Sequence, residues 1–401
     1  MKEPRVDSIV PLQLRKKLTT LRHDLHRYPE LSTKESRTAE RLEAELRGIG
    51  PMSIRRVAGT GILARFPGRD SSAPTVAIRG DIDALPIQEE THVDFASEND
   101  GVMHACGHDI HAAWTVGAAH LLREDPAAGD VLVLLQPAEE TAEGATAVLN
   151  EGVLDGVAAI VGGHVDMRYP LGTIVAERGA MAASADEFLI QLTGSGAHAA
   201  RPHEGNNPIT GGAALVSALQ SVVAQIVAPG TPAVITVATF NGGVASNIIP
   251  ANVTISGSVR AVSASDRQLL HREIARVGES IAQAFGLGAS VEFLAGTPPL
   301  VNEPRCAEWA RQAARNVLGD VSLRPLAEPN LGGEDFAFYL ERLAGCFFRV
   351  GGRASSQQPI PAHSSKFLPS DDAVALGAAV LAETARIASA QIATGGSQAS
   401  S

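Results

Sequence analysis

The chain has 401 residues, 45% hydrophobic and 19% charged, a globular balance long enough for two domains or for one with a large insertion. With 33 basic and 44 acidic side chains its net charge is −11, which repels phosphate backbones and excludes nucleic acid as a partner. Cys106, Cys306 and Cys346 are too few for a disulfide scaffold, MKEPRVDSIVPLQLRKK lacks a signal peptide's apolar segment, and runs such as DVLVLL are too short to span a membrane; a cytoplasmic protein with reduced thiols and no membrane partner is expected.

LRKKLTTLRHDLHRYPE has helical spacing and stops at Pro29. A second helix follows in STKESRTAERLEAELRGIG, with Ser32 as its cap, Glu35 completing a capping box and Gly48 or Gly50 ending it. GILARFPG and TVAIRGD read as strands, IHAAWTVGAAHLLRED as helix, DVLVLLQP as a buried strand, AEGATAVLNEG as helix and VAAIVGGHV as strand. Apolar strands alternating with helices predict a largely parallel α/β sheet. From about Ser184 the order becomes strand ADEFLIQLTG, helix NPITGGAALVSALQSVVAQIV, strands AVITVATFNGG and NVTISGSVRAV, helix SDRQLLHREIARVGESIAQAFG, strand ASVEFLAG. That βαββαβ order is the ferredoxin-like unit. The α/β pattern resumes with helix 304–318, strand CFFRVGG and a final helix from DDAVAL. The expected organisation is therefore a discontinuous α/β domain over 1–183 and 297–390, an inserted ferredoxin-like domain over 184–296 and a flexible tail over 391–401.

The densest chemistry is HACGHDIHAA, residues 104–113. Cys106 and His108, two apart, share one side of an extended segment and suit Zn, Mn, Co or Ni. The same residues also fit a polar loop with Asp109 as the next helix's N-cap, or a thiol nucleophile with a histidine base. Further candidates follow strand ends. In Glu139-Glu140, one carboxylate can hold an ion while its neighbour faces the activated water; acids also favour helix N-termini for their dipole. His164 ends an apolar strand, where α/β sheets collect their sites. Asp81 and Asp83 alternate onto one side, and Asp83 can orient a ligand histidine. His363 lies in a polar loop. Arg79-Gly80-Asp81 ends an apolar strand, unlike an exposed adhesion tip. GxSxG, Walker A, GxGxxG after a strand and HExxH are all absent; the run at 193–196 is Thr-Gly-Ser-Gly.

Taken in order, RGDIDALPIQEE, GVMHACGHDIHAA, LLQPAEE, GGHV, GSGAHAARPHEGNNP, NGGVASNIIP, GGEDFAFYL and HSSKF resemble the M20 metallopeptidases over nearly the whole chain. Within them the likeness is to the amidohydrolase branch of aminoacylases, hippurate hydrolases and auxin-conjugate hydrolases. The resemblance implies a mixed-sheet α/β/α zinc-peptidase-like catalytic domain. It implies two divalent ions (Zn, Mn, Co or Ni) held by Cys106, His108, Glu140, His164 and His363, with Cys106 as the bridge and Glu139 as general base. It implies a homodimer through 184–296, with His198 stabilising the oxyanion in trans, Asn247 and Arg260 holding the substrate carboxylate, and Gly333 near the substrate. The implied reaction is hydrolysis of N-acyl amino acids. A dipeptidase or carboxypeptidase on the same scaffold, a non-catalytic metal-binding relative, and a cysteine hydrolase using Cys106 are the alternatives. Two departures from the family pattern stand out. Ser365 replaces a usual proline, an expectation of a looser loop around His363, and Gly332-Gly333 replaces the usual Met-Gly or Gly-Ser.

Overall fold

The computed structural model describes residues 9–395; the expected tail beyond Gly395 lies outside them, as does the start of the chain. Two compact units emerge: Met1–Gly179 with Asn302–Ala327 and Glu334–Ser401, and Ala180–Val301 with Glu328–Gly333.

The first unit opens with α1 (Leu12–Arg27) and α2 (Ser36–Ile49), then β1 (Ser53–Val57), β2 (Gly61–Phe66), β3 (Val76–Asp81), α3 (His108–Glu124), β4 (Val131–Gln136), α4 (Gly144–Asn150), β5 (Ala159–Pro170) and β6 (Ile174–Val175). The second unit holds β7 (Ala180–Ala182), β8 (Ala185–Thr193), β9 (Ala197–His198), α5 (Pro208–Ile226), β10 (Ala233–Gly242), β11 (Ile248–Ile249), β12 (Asn252–Ala261), α6 (Ala264–Ala284), β13 (Gly288–Thr297) and β14 (Leu300–Val301). The chain returns to the first unit with α7 (Pro304–Leu318), α8 (Ala337–Leu340), β15 (Gly345–Arg353) and α9 (Asp372–Gly395).

The first unit's sheet runs β1-β2-β4-β3-β5-β15-β6. β4, β3, β5 and β15 pair in parallel, while β1, β2 and β6 are antiparallel, so the sheet is mixed. Every residue of β3 and β4 is buried, which explains the continuous apolar run of β4. One face packs on α3 and α9: Val161, Val165, Phe348 and Val350 join Trp114, Val116 and Leu376 in one core. α9 has the length and composition of a membrane span, against the expectation of short apolar runs, but 78% of that stretch is buried, which makes it a core helix.

The second unit's sheet runs β10-β12-β8-β13, all antiparallel, in a β-α-β-β-α-β chain order. Along α5, Gly211, Leu215, Leu219 and Val222 are buried. Only 28% of its apolar stretch is buried; Ile209 and Ile226 remain exposed, as do Phe240 on β10 and Val244 in the loop after it.

The caps differ from the sequence reading. Ser32 does not cap α2; its hydroxyl donates to Asp83 Oδ2 at 2.7 Å. Glu35 is the N-cap residue but makes no side-chain cap; Oε1 accepts the Ala138 N–H at 2.9 Å and Oε2 the Thr60 hydroxyl. Glu30 supplies the cap instead, accepting from the N–H groups of Arg37 and Thr38. Tertiary partners claimed both predicted capping side chains. Gly50, at φ 83°, ends the helix as expected.

Candidate metal centre

Chain segments leaving the C-terminal ends of the first unit's parallel strands build the site. Asp81 ends β3, and Asp83 follows it. Past β4, a turn with Ala138 at φ 53° delivers Glu139 and Glu140. β5 carries His164, and the turn into α3 presents Cys106 and His108. That turn is not the extended segment expected from spacing. Gly107 caps α3 at φ 93°, and a Cβ there would come within 2.5 Å of Val165 Cγ1. Glycine alone meets both demands. Asp109 consequently sits in the helix's first turn rather than at its cap. His363 adopts φ 67°, a strained setting costing about 1–3 kcal/mol, and its N–H donates to Ala105 O at 2.8 Å. Ser365 does not loosen this loop: its hydroxyl donates to Glu90 Oε2 at 2.8 Å, and its carbonyl accepts the Glu90 N–H at 2.8 Å.

Ligand-capable atoms of Cys106, His108 and His164 lie within 4.8 Å of one another. Those of Cys106, Glu140 and His363 do too, and those of His108, Glu139 and Glu140. Cys106, His108 and Glu140 each belong to two of these triples, so the three sets form one continuous cluster. Ring orientations are fixed from behind. His108 Nδ1–H donates to Asp83, 2.9 Å from its carbonyl and 3.1 Å from its Oδ1. Its Nε2 faces Glu139 Oε2 and Glu140 Oε1, each at 3.8 Å. His164 Nδ1–H donates to Val165 O at 2.6 Å, which turns Nε2 toward Cys106 Sγ at 3.2 Å. His363 Nε2 lies 3.4 Å from Glu140 Oε2.

The electrostatics share one cause, burial among a crowd of acids. Burial pushes the Cys106 thiol well up, and Glu140 adds to it. Burial, then Glu334, Glu140 and Asp335, push Glu139 well above the carboxylate range. Burial carries Glu140 up to about 7 against the pull of His108. At His108, burial is outweighed by the charge of Asp81, the hydrogen bond to Asp83 and the nearby Cys106, which hold its pKa well up. Surroundings that retain protons this way attract cations, and a bound cation inverts each shift. His108 Nε2 and Glu140 Oε1 are buried without a hydrogen-bond partner, the two atoms a cation would satisfy. Thiolate, imidazole and carboxylate together suit a borderline-soft divalent ion. The residues present therefore fit metal.

Some site residues escaped the sequence reading. His111 Nδ1–H donates to Asp81 Oδ1 at 2.6 Å, and its Nε2 accepts the Val165 N–H at 2.9 Å. Arg79, fully buried, donates to Asp81, to Gln136 Oε1 at 2.8 Å and to Asp335 Oδ1 at 2.7 Å. Asp335 also accepts from Gln136 and from the Ala145 N–H, and its own N–H reaches Glu139 Oε1 at 3.4 Å. Glu139, Glu334 and Asp335 form a further cluster of carboxylates. The available signal was an arginine two residues from an aspartate inside an apolar strand, a placement that demands buried partners.

The other expected residues lie in the second unit. His198, on β9, is exposed and accepts the Ala200 N–H at Nδ1. Asn247, also exposed, accepts the Ala199 N–H at its carbonyl. Arg260, half-buried on β12, donates to Leu331 O at 2.7 Å rather than facing only solvent. At Gly333 a Cβ would come within 2.6 Å of Thr297 Oγ1.

Three comparisons bear on this geometry. A profile of peptidase family M20/M25/M40 matches residues 77–387. An N-acetyl-L-cysteine deacetylase of Bacillus subtilis is 42% identical over 341 residues, covering 84% of this chain and 81% of the relative. Thermostable carboxypeptidase 1 of Saccharolobus solfataricus is 34% identical, covering 89% and 92%. A solved Bacillus subtilis structure, described as a dinuclear metal binding peptidase from the M20 family, superposes with TM-score 0.84 at 34% identity, covering 95% of this chain and 99% of that one.

Proposed function

Because this chain belongs to peptidase family M20/M25/M40, whose relatives here are named hydrolases, we propose that it is a metal-dependent amidohydrolase cleaving N-acyl amino acids to a carboxylic acid and a free amino acid. The observation that carries the reading is the overlap of the ligand triples through Cys106, His108 and Glu140, with Glu139 beside them accepting the Asp335 N–H. Cys106, His108, Glu140, His164 and His363 would hold two divalent ions, of which Zn, Mn, Co and Ni suit the donors. Bound there, the ions supply an activated water and polarisation of the amide carbonyl.

The side chains do the rest. Glu139, whose affinity for protons is raised by Glu334 and Asp335, takes the proton of the attacking water and returns it to the departing amine. Asp83 keeps His108 oriented. Arg260 and Asn247, with Gly333 nearby, are assigned to the substrate carboxylate, and His198 of a second copy to the oxyanion. The second unit supports such a homodimer: β10 is a sheet edge, and α5, Phe240 and Val244 expose apolar surface. Three buried, unpaired thiols suit a reducing compartment, and the cytoplasm is proposed.

A carboxypeptidase on the same scaffold is the second reading, favoured by the 34% identical carboxypeptidase. A cysteine hydrolase is disfavoured, because burial keeps the Cys106 thiol protonated and pushes its neighbour His164 well below the imidazole range. A purely metal-binding protein has no use for Glu139. The deciding experiment is a hydrolysis panel on metal-reconstituted protein, comparing N-acetyl and N-benzoyl amino acids with dipeptides. Turnover of the dipeptides alone would replace the first reading by the second, and no turnover of either would end both.

A further inference from the structure

One buried cation in the first unit makes no ion pair among the described residues. Arg349 lies in β15 opposite His164 in the parallel ladder with β5. Alternation puts both side chains on one face of the sheet, away from the layer where Phe348 and Val350 pack with α3 and α9. Phe347 shares that face, its ring centroid 5.7 Å from the guanidinium carbon. Arg349 is only 4% exposed, and its Nε has no hydrogen-bond partner. Among the described residues no ion pair or hydrogen bond reaches its guanidinium. Its charge is felt by His164 and Glu334. Arg22 and Arg79, equally buried, are each held by at least two carboxylates. Leaving a buried charge unpaired is strongly unfavourable, and a guanidinium offers a planar fork matched to a carboxylate.

We propose that Arg349 is a substrate-recognition residue, its guanidinium taking a carboxylate of the N-acyl amino acid beside His164. The proposal rests on the hydrolase reading above. Two sources can supply that carboxylate: the amino acid's α-carboxylate, a role Arg349 would then take from Arg260 and Asn247, or a second acid on its side chain or acyl group.

The test compares metal-loaded wild type with Arg349→Met and Arg349→Lys on N-acetylcysteine, N-acetylglutamate and the neutral N-acetylcysteine amide. The same compounds are titrated calorimetrically onto the three proteins carrying Glu139→Gln, which reads binding without turnover. For Arg349→Met the expected result is a rise in KM and Kd of about 10- to 150-fold for acids, the scale of losing a charged hydrogen bond, and no change for the amide. Arg349→Lys, which keeps the charge but not the fork, falls between. The melting temperature of Arg349→Met without ligand should equal or exceed that of wild type, since an uncompensated charge has gone; a purely structural role would lower it. Loss with both acids assigns the α-carboxylate, and loss with N-acetylglutamate alone assigns the second acid; either upholds the proposal. Unchanged Kd values, or equal losses for acids and amide, overturn it. If wild type turns over none of the panel, the hydrolase reading fails, and the calorimetry still decides Arg349.

Discussion

Asp83 and His108 are joined twice, the ring Nδ1–H lying 2.9 Å from the aspartate's carbonyl and 3.1 Å from its carboxylate. The other carboxylate oxygen accepts the Glu140 N–H at 3.0 Å and the Ser32 hydroxyl at 2.7 Å. One side chain thus braces two of the proposed ligands. Asp83→Ala should weaken metal binding about 10- to 100-fold, the usual scale for outer partners of a ligand, with activity partly recovered at high metal concentration. A chelator-competition titration reads this directly, and an affinity equal to wild type would remove Asp83 from the site.

Glu139→Gln keeps the size of the side chain and removes its basicity. Metal content by elemental analysis should stay at the wild-type value, while kcat falls by about 10²–10⁴, the range of general acid–base catalysis. Lost metal would instead mark Glu139 as a ligand. Full turnover would leave the proposed base without a role.

Cys106, His108 and Glu140 are each shared between triples, and the proposed bridge between the two ions is Cys106. Cys106→Ala should therefore lower the affinity for both ions, whereas His363→Ala should affect one. Binding metal should release the proton that burial keeps on the thiol, because a coordinating thiol is deprotonated. Titration calorimetry in buffers of different ionisation enthalpy counts the protons released by wild type and by Cys106→Ala. Equal proton release from the two would exclude Cys106 as a ligand.

How much of this was legible follows from how local each signal is. β4 read as a buried strand because its apolar run is continuous, and the β-α-β-β-α-β element order of the second unit was legible because each element carries its own periodicity. Ser32 and Glu35 matched a capping box yet serve Asp83, Thr60 and Ala138, partners 25 to 103 residues away. Arg79 and Asp335, 256 residues apart, meet only in the folded chain. Cys106 and His108 were visible as a pair, but the left-handed Gly107 that converges them was not, because spacing alone suggested extended backbone. Arg349 is the extreme case: within CFFRVGG nothing distinguishes it from an edge-strand arginine until burial and the missing partner are known.

The assignment of His198 to a partner's site predicts complementation. His198→Ala and Glu139→Gln homodimers should each be nearly inactive. Mixed and allowed to exchange subunits, they form hybrids with one intact site, about a quarter of wild-type activity at equal mixing if exchange is random. Charged substitution at Phe240 or Val244, both exposed in the second unit, should shift the protein toward monomer in sedimentation and abolish this rescue. A mixture no more active than its components, from chains proven to exchange, would confine His198 to its own subunit.

A last prediction concerns pH and lies behind the metal site. His26 is buried between Asp109 and Glu89, its Nδ1 2.9 Å from Asp109 Oδ2 and its Nε2 3.2 Å from Glu89 Oε1. Arg22 Nε shares the same Asp109 oxygen at 3.0 Å. Burial opposes a charged ring, but the attraction and hydrogen bond of Asp109 and the bond to Glu89 outweigh it, and the pKa rises from 6.5 to about 9. A raised pKa means that the folded state holds the proton more tightly than the unfolded chain does. The stabilisation is therefore complete below pH 6.5 and is lost as pH climbs through 9. By linkage the contribution is about 3 kcal/mol. Urea unfolding of metal-free protein should show stability falling across that interval, and His26→Gln should flatten the slope while lowering stability at pH 6. A slope identical in the variant would mean that the proton on His26 does not hold this cluster together.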